Sequence, residues 1–175
     1  MECYFRNLFL ALLLLPAAPL HAEFSFSISP SLGEASLSNI DGYDDATYLR
    51  IDGTFYPLPQ LGVGVFSTFY DDFEPSGSGN DIAIALNGVG VGLMGRWPLH
   101  PHVQPYLRAD YMAWNAKATG LGRTLAKDDG YSLGGAIGVH FPLIKGFGLR
   151  AEHSCYDDVS GADLRQTSLA WILEF

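Results

Sequence analysis

Four pairs of adjacent aspartates are the residues of this sequence best suited to binding a cation. They are Asp44-Asp45, Asp71-Asp72, Asp128-Asp129 and Asp157-Asp158. Carboxylate oxygens are the ligands that hard cations such as Ca²⁺ and Mg²⁺ prefer, and neighbouring carboxylates repel each other when no cation is bound. The pairs therefore form a candidate divalent-cation site. No calcium-loop spacing accompanies them, so solvated acidic loop ends are the simpler interpretation.

A second set of residues combines arginines with acids in balanced numbers. Three of its arginines are followed two residues later by an acid, and residues two apart lie on the same face of a β-strand. The set comprises Arg50, Asp52, Arg96, Arg108, Asp110, His140, Arg150, Glu152 and Glu174. Four arginines meet four acids although the whole chain has a net charge of −9. Such a set could line a gated ion path or form a rigid, hydrogen-bonded plug.

Catalytic chemistry has weak support in the sequence. The adjacent His153 and Ser154 would point to opposite faces of a strand, so they cannot act as base and nucleophile. His100 and His102 share a face, but a third metal ligand is not near them in the sequence. Neither a Gly-x-Ser-x-Gly nor a His-Glu-x-x-His motif occurs, and there is no phosphate loop. We therefore expect no enzyme, no cofactor and no dedicated metal centre.

The elements that position these residues are marked by an aromatic-Pro-Leu step that occurs three times, at residues 56–58, 97–99 and 141–143. Proline cannot donate to a sheet ladder, so each step marks the end of a strand. The intervals predict eight strands, with boundaries good to about two to four residues. The predicted strands are 24–37, 47–56, 61–70, 82–97, 103–115, 131–141, 147–156 and 164–175. Short turns lie at 57–60, 98–102 and 142–146, and long loops at 38–46, 71–81, 116–130 and 157–163.

Alternation along the strands indicates which face is apolar. Leu49, Ile51 and Phe55 alternate with the charged residues Arg50 and Asp52, whereas on other strands glycines fill the second face. Glycine suits the interior of a narrow closed barrel, where bulky neighbours need room. The sequence therefore predicts an all-β fold, an eight-stranded antiparallel up-and-down transmembrane β-barrel with its apolar face toward lipid. A soluble barrel with solvated charges is the less favoured alternative.

The two ends of the chain fit this interpretation. Residues 1–22 have the charge, apolar run and small-residue site of a secretory signal peptide, which leaves 23–175 as the barrel domain. The acidic net charge argues against nucleic acid as a partner. An aromatic girdle is predicted at the membrane interface, with the last residue of the chain in it. Its residues are Phe55, Trp97, Phe141, Phe147, Trp171 and Phe175.

Residues 148–175, GLRAEHSCYDDVSGADLRQTSLAWILEF, resemble the last hairpin of the outer-membrane protein A-like transmembrane domain family. The resemblance implies a small barrel in the outer membrane of a Gram-negative bacterium, in contact with lipid and lipopolysaccharide. It also implies that the outer-membrane assembly machinery reads the strand that ends at Phe175. His153 departs from the family pattern, in which an aromatic is frequent. The chain ends with the barrel, so we expect no peptidoglycan-binding domain.

On this topology the aspartate pairs fall on the extracellular side, where bound cations could bridge them to lipopolysaccharide phosphates. Eight strands leave room inside only for side chains, which favours the plug over the ion path. We therefore expect a structural or surface-interaction role, in adhesion or envelope integrity, through acidic extracellular loops. A barrel enzyme acting on lipid A and a narrow, low-conductance channel of the porin kind are the alternatives.

Overall fold

Eight antiparallel strands form a closed barrel in the computed structural model, which describes residues 24–40, 42–77 and 82–175. Each strand pairs with the next, and the last pairs with the first. The strands are β1 (Ser25–Ser38), β2 (Ala46–Leu58), β3 (Leu61–Tyr70), β4 (Ile82–Arg96), β5 (Gln104–Gly120), β6 (Arg123–Ile144), β7 (Phe147–Val159) and β8 (Ala162–Glu174). The signal peptide predicted over 1–22 lies outside the described residues. None of the described residues forms a helix long and apolar enough to cross a membrane.

The apolar face of the strands points outward, as the alternation predicts. Leu49 is 42% exposed and Leu169 is 64% exposed, whereas Arg50 between its apolar neighbours is 1% exposed. Burying the charges and exposing the leucines would be unfavourable in water, because burial of apolar surface is the main driving force of folding there. The arrangement is favourable when acyl chains surround the barrel.

Glycines on the inner face allow bulky side chains to cross the lumen. Gly134 on β6 lies opposite Tyr156 on β7. A Cβ atom at position 134 would lie 2.8 Å from the carbonyl oxygen of Cys155 and closer still to the Tyr156 ring. The glycine is therefore required by close approach, and it leaves room for the Tyr156 ring on the inner face.

The interior has layers. An apolar and aromatic cluster closes its extracellular end, with Phe73, Tyr48 and Leu164 at most 2% exposed. Phe73 comes from the segment after β3, which is tied to the segment after β1 by a hydrogen bond of 2.8 Å from Asp44 N to Glu74 O. Charged residues occupy the middle of the lumen, and Tyr56, Met94 and Tyr106 pack below them.

The prediction of long loops at 116–130 and 157–163 is wrong. Strands β5 and β6 continue as a paired hairpin to a tight turn at Leu121 and Gly122, where φ is 50° and 72°. Strands β7 and β8 likewise turn at Ser160 and Gly161. The polar, glycine-containing sequence resembles a loop, but outside the membrane both faces of a hairpin can be polar, and ladder hydrogen bonds satisfy its backbone.

Candidate functional site

Six charged side chains form a buried network in the middle of the lumen, which we call the central ion network. Three strands that are not neighbours supply it, because β2, β5 and β7 each place an arginine and an acid two residues apart on the inner face. The members are Arg50, Asp52, Arg108, Asp110, Arg150 and Glu152, all at most 5% exposed. Three positive and three negative charges make it neutral.

Ion pairs join the three strands across the lumen. Arg50 Nη2 lies 2.8 Å from Asp52 Oδ1, and Arg150 Nη2 lies 2.9 Å from Asp52 Oδ2. Arg108 Nη2 lies 2.7 Å from Glu152 Oε1, while its Nε lies 3.0 Å from Asp110 Oδ2. Buried charges are tolerated only when they are paired and hydrogen-bonded, and here each arginine contacts more than one acid.

Aromatic residues that the sequence interpretation missed complete the network. Tyr156 accepts a hydrogen bond of 2.6 Å from Arg50 Nη1 and donates one of 2.7 Å to Asp110 Oδ2. Tyr106 donates to Glu152. The Arg50 guanidinium lies 3.7 Å from the centre of the Phe66 ring, a cation–π contact. Tyr156 shares its strand parity with Arg150 and Glu152, and that signal could have identified it.

Almost no free space remains at this level of the lumen. The void lined by Arg50, Asp52, Arg108 and Asp110 measures about 10 Å³. A cavity needs roughly 10–15 Å³ to hold a single water molecule. The network is therefore a packed plug at this level.

Arg96, Glu174 and His140 do not join the central ion network. Arg96 Nη2 lies 3.1 Å from Glu174 Oε1 at the periplasmic end, and Arg96 Nε donates a 2.6 Å hydrogen bond to the carbonyl of Pro59. His140 is buried on the inner face of β6, opposite Arg150 on β7. The imidazole also lines an open pocket of about 320 Å³ at the periplasmic mouth, together with Glu174. The nine predicted interior residues thus separate into a central group and a peripheral one.

The aspartate pairs lie at the extracellular end but do not converge. Two pairs lie in the linked segments after β1 and β3, one lies on the extension of β6, and one ends β7. Asp128 accepts a hydrogen bond of 2.8 Å from Ser160. Among the described residues, no three or more His, Cys, Asp or Glu side chains are grouped so that they could hold a metal ion. The cation-binding rim at Asp44, Asp45, Asp71, Asp72, Asp128, Asp129, Asp157 and Asp158 stays a prediction.

Aromatic side chains lie on the outer surface at both ends of the apolar band. At the periplasmic end, Phe55, Phe141, Trp171 and Phe175 are between 37% and 73% exposed, and Trp97 and Phe147 are partly exposed. At the other end Tyr111 and Tyr131 stack with ring centres 5.5 Å apart. This second pair was missed, although the odd-numbered parity of β5 and β6 places both residues outside.

The histidines and serines considered for catalysis are held apart. His153 lies outside the barrel, where its Nδ1 is 3.0 Å from Thr167 Oγ1. Ser154 lies inside and donates a 3.0 Å hydrogen bond to Gln166. His100 and His102 lie together beside the periplasmic turn, with ring centres 5.6 Å apart.

Solved structures of small outer-membrane barrels share this architecture. Neisserial surface protein A (NspA) is 18% identical, with a TM-score of 0.67, over 87% of this chain and 97% of that chain. Ail, the attachment invasion locus protein of Yersinia pestis, is 17% identical, with a TM-score of 0.60, over 88% and 99%. OprG from Pseudomonas aeruginosa is 12% identical, with a TM-score of 0.61, over 89% and 97%. Ail has also been solved in complex with the heparin analogue sucrose octasulfate. At these identities the likeness establishes the fold alone.

The sequence itself assigns the family. No curated protein matches it significantly. Residues 8–170 match the family described as outer membrane protein beta-barrel domain. That match covers most of the chain and agrees with the closed barrel, its outward apolar face and its buried charges. The chain therefore belongs to the outer membrane protein beta-barrel domain family and is a protein of the bacterial outer membrane.

Proposed function

We propose that this protein is a non-catalytic surface-interaction barrel, acting in adhesion or envelope integrity through its extracellular hairpins. The observation that carries the proposal is the long β5–β6 hairpin. From Tyr111 in the outer aromatic pair to Gly120 at the tip there are nine residues. At about 3.3 Å per residue and the usual strand tilt, the tip stands roughly 20 Å beyond the apolar band.

The hairpin tip carries cations in a protein that is otherwise acidic. Lys117, Arg123 and Lys127 lie on it, and Leu121 and Leu125 are 89% and 57% exposed. The β5–β6 hairpin therefore combines a cationic, apolar tip with the Asp128-Asp129 pair below Lys127, which differs from the acidic loops expected from the sequence. Lys117 lies directly opposite Lys127. Like charges in that position destabilise a hairpin, and a bound anion would relieve the repulsion.

Polyanionic glycans are the partner class that this surface favours. Phosphates and sulfates are recognised by clustered Lys and Arg side chains, and a tip beyond the lipid headgroups can reach surface polysaccharide. Ail, which shares the fold, binds a sulfated sugar in one of its structures. That likeness adds support to the charge pattern but does not transfer a site residue by residue.

Two alternative functions have less support. A lipid A enzyme would need a nucleophile and a base within reach of each other, and His153 and Ser154 lie on opposite sides of the wall. A channel would need a path through the central ion network, where the void is about 10 Å³. We also propose that the assembly machinery reads the end of β8, where Phe175 is 73% exposed.

The test uses cells of a Gram-negative laboratory strain that display the protein. Changing Lys117, Arg123 and Lys127 together to Gln should lower binding of a sulfated polysaccharide by about tenfold or more and should flatten its salt dependence. Lys145→Gln, near the periplasmic turn, is the control and should bind like the wild type. Lipid A from the expressing cells should keep its mass. Unchanged binding by the triple variant would refute the glycan contact, and an altered lipid A mass would indicate the enzyme.

A further inference from the structure

The outer wall formed by β7, β8 and β1 interrupts the apolar band. On β3 to β6, the outward residue eight positions from the periplasmic end of the band is apolar or aromatic. Those residues are Phe69, Val89, Tyr111 and Leu133, each at least 47% exposed. At the equivalent positions, eight residues from Phe175 on β8 and from Phe26 on β1, the outward residues are Thr167 and Glu34. On the neighbouring β2, the residue eight positions from Phe55 is Thr47, which is also exposed and lies opposite Glu34.

Three polar side chains form a continuous row on this wall. Glu34 lies opposite Thr167, and Thr167 lies opposite His153. All three are exposed, and His153 Nδ1 lies 3.0 Å from Thr167 Oγ1. Eight residues of a tilted strand rise roughly 20 Å, and the apolar band of such barrels is about 25 Å tall. The row therefore lies at the level of the outer leaflet, just inside its boundary.

A groove runs along the wall beneath this row. It measures about 640 Å³ and is bounded by Leu32, Ile137, Val139 and Leu169. Ala151 forms part of its floor, because its side chain is small and those of its neighbours are bulky. The groove lies on the lipid-facing surface, so an acyl chain can enter it without crossing the barrel wall.

Above the row, Arg165 lies two residues farther out on the same face of β8, opposite Ser36 on β1. The wall thus presents three chemistries in order of height: an apolar groove, a row of hydrogen-bonding groups that includes a carboxylate, and a guanidinium. Farther out Asp163 accepts a hydrogen bond of 3.0 Å from Asn39.

We propose that this wall binds an outer-leaflet glycolipid whose acyl chains are hydroxylated or amide-linked. One chain fills the groove, the N–H and O–H donors at its attachment bond to Glu34, Thr167 and His153, and a headgroup phosphate lies near Arg165. A diacyl phospholipid with ester-linked chains lacks N–H and O–H donors where its chains are attached, so it would bind this row less well. A second copy of this chain is a less suitable occupant, because two identical grooves that face each other across a symmetric dimer contact would enclose unfilled space. The inference concerns the barrel wall and does not depend on the glycan contact proposed for the hairpin.

The test is native mass spectrometry of the full-length barrel, released from detergent after incubation with purified lipid A or with phosphatidylethanolamine. Ala151→Phe fills the groove, and the triple change Glu34→Leu, His153→Leu and Thr167→Val removes the polar row. Each should lower lipid A retention by about tenfold. Ala109→Phe and Ser67→Val, outward positions on the opposite wall, are the matched controls and should retain lipid A.

Heat-modifiable migration on a gel establishes that each variant is folded. Both sets of changes place apolar side chains on a lipid-facing surface, so the barrel should tolerate them. Equal retention of lipid A by wild type, Ala151→Phe and the triple variant would overturn the proposal. Equal retention of phosphatidylethanolamine and lipid A by the wild type would overturn it as well. A dimer that Ala151→Phe abolishes would identify the wall as a contact between copies instead.

Discussion

Arg108 is the side chain on which the central ion network depends most. It reaches acids from three strands, with Asp52 at 3.5 Å, Asp110 at 3.0 Å and Glu152 at 2.7 Å. Removing one member of a buried charge cluster leaves the others without compensation, and this costs more than the cluster contributes relative to an apolar core. The network is therefore vulnerable to the loss of a single arginine even if its net contribution to stability is small.

Arg108→Met should lower the free energy of unfolding by about 3–5 kcal/mol, because Asp110 and Glu152 would stay buried without their main counter-ion. Urea titration of the barrel in lipid vesicles, followed by tryptophan fluorescence, measures the change. Arg96→Met is the matched control, since its ion pair with Glu174 is partly exposed. Its loss should be about 1 kcal/mol. Equal losses for the two variants would contradict a buried network.

Strand parity predicted the charged members of the lumen but not their partners. Arg50 and Asp52 could be placed inside because apolar neighbours flank them on the strand. Whether Arg50 would meet Asp110, 60 residues away, depends on the stagger of strands around the closed barrel. That stagger is a property of the whole sheet, so Arg96, His140 and Glu174 are predicted in one group with the central charges, although they do not join the central ion network.

Strand β8 is the element that closes the barrel. It pairs with β7 on one side and β1 on the other, and Phe175, which follows it, exchanges two backbone hydrogen bonds with Phe26, of 3.2 and 2.8 Å. Phe175 nevertheless contributes little buried surface, because its side chain is 73% exposed. A role in recognition during assembly would explain an exposed aromatic at this position.

Deleting Phe175 should lower the amount of folded barrel in the outer membrane of living cells by about tenfold, because the residue that we propose the assembly machinery reads would be missing. The remaining ladder between β8 and β1 stays intact. The purified variant should refold in detergent almost as the wild type does. Heat-modifiable gel migration reports both quantities. Phe24, another exposed aromatic near the periplasmic end, supplies the control as Phe24→Ala. Equal losses in cells and in detergent would indicate that Phe175 acts through stability alone.

Element boundaries show where sequence interpretation succeeded and where it failed. Pro57, Pro98 and Pro142 marked the periplasmic ends well, because proline restricts the backbone wherever it occurs. The sequence predicts that β6 begins at Tyr131, whereas in the structure the strand begins eight residues earlier, at Arg123. Beyond the membrane the alternation of apolar and polar residues disappears, so the pattern that identifies a membrane strand no longer applies to the same strand in water.

The whole molecule is a closed wall around a filled interior. Apolar residues seal the extracellular end, charges fill the middle, and Tyr56, Met94 and Tyr106 pack below them. Family membership and location in the outer membrane follow from features distributed along the whole chain, which is why the sequence predicted them. The groove on the outer wall was not predictable, because it arises from the relative heights of residues on four different strands.

Reconstitution in a planar bilayer should give no steady conductance. The central ion network leaves a void of only about 10 Å³, which is too small for a continuous water path. Single-channel recording with a general porin as positive control is the measurement. Replacing both Arg50 and Tyr156 by Ala should enlarge the lumen and raise the frequency of opening events. Large, steady steps from the wild type would show that the plug rearranges.

The spacing of the interior charges also bears on how the chain enters the membrane. Arg50, Arg108 and Arg150 each lie within 4 Å of an acid two residues away on their own strand, at 2.8, 3.0 and 3.7 Å. Each of these strands therefore carries its own counter-ion and is neutral at that depth before any other strand has arrived. At the depth of the central ion network, we therefore expect β2, β5 and β7 to insert in any order without exposing an uncompensated charge to hydrocarbon. Only the ion pairs between strands have to wait until the sheet closes.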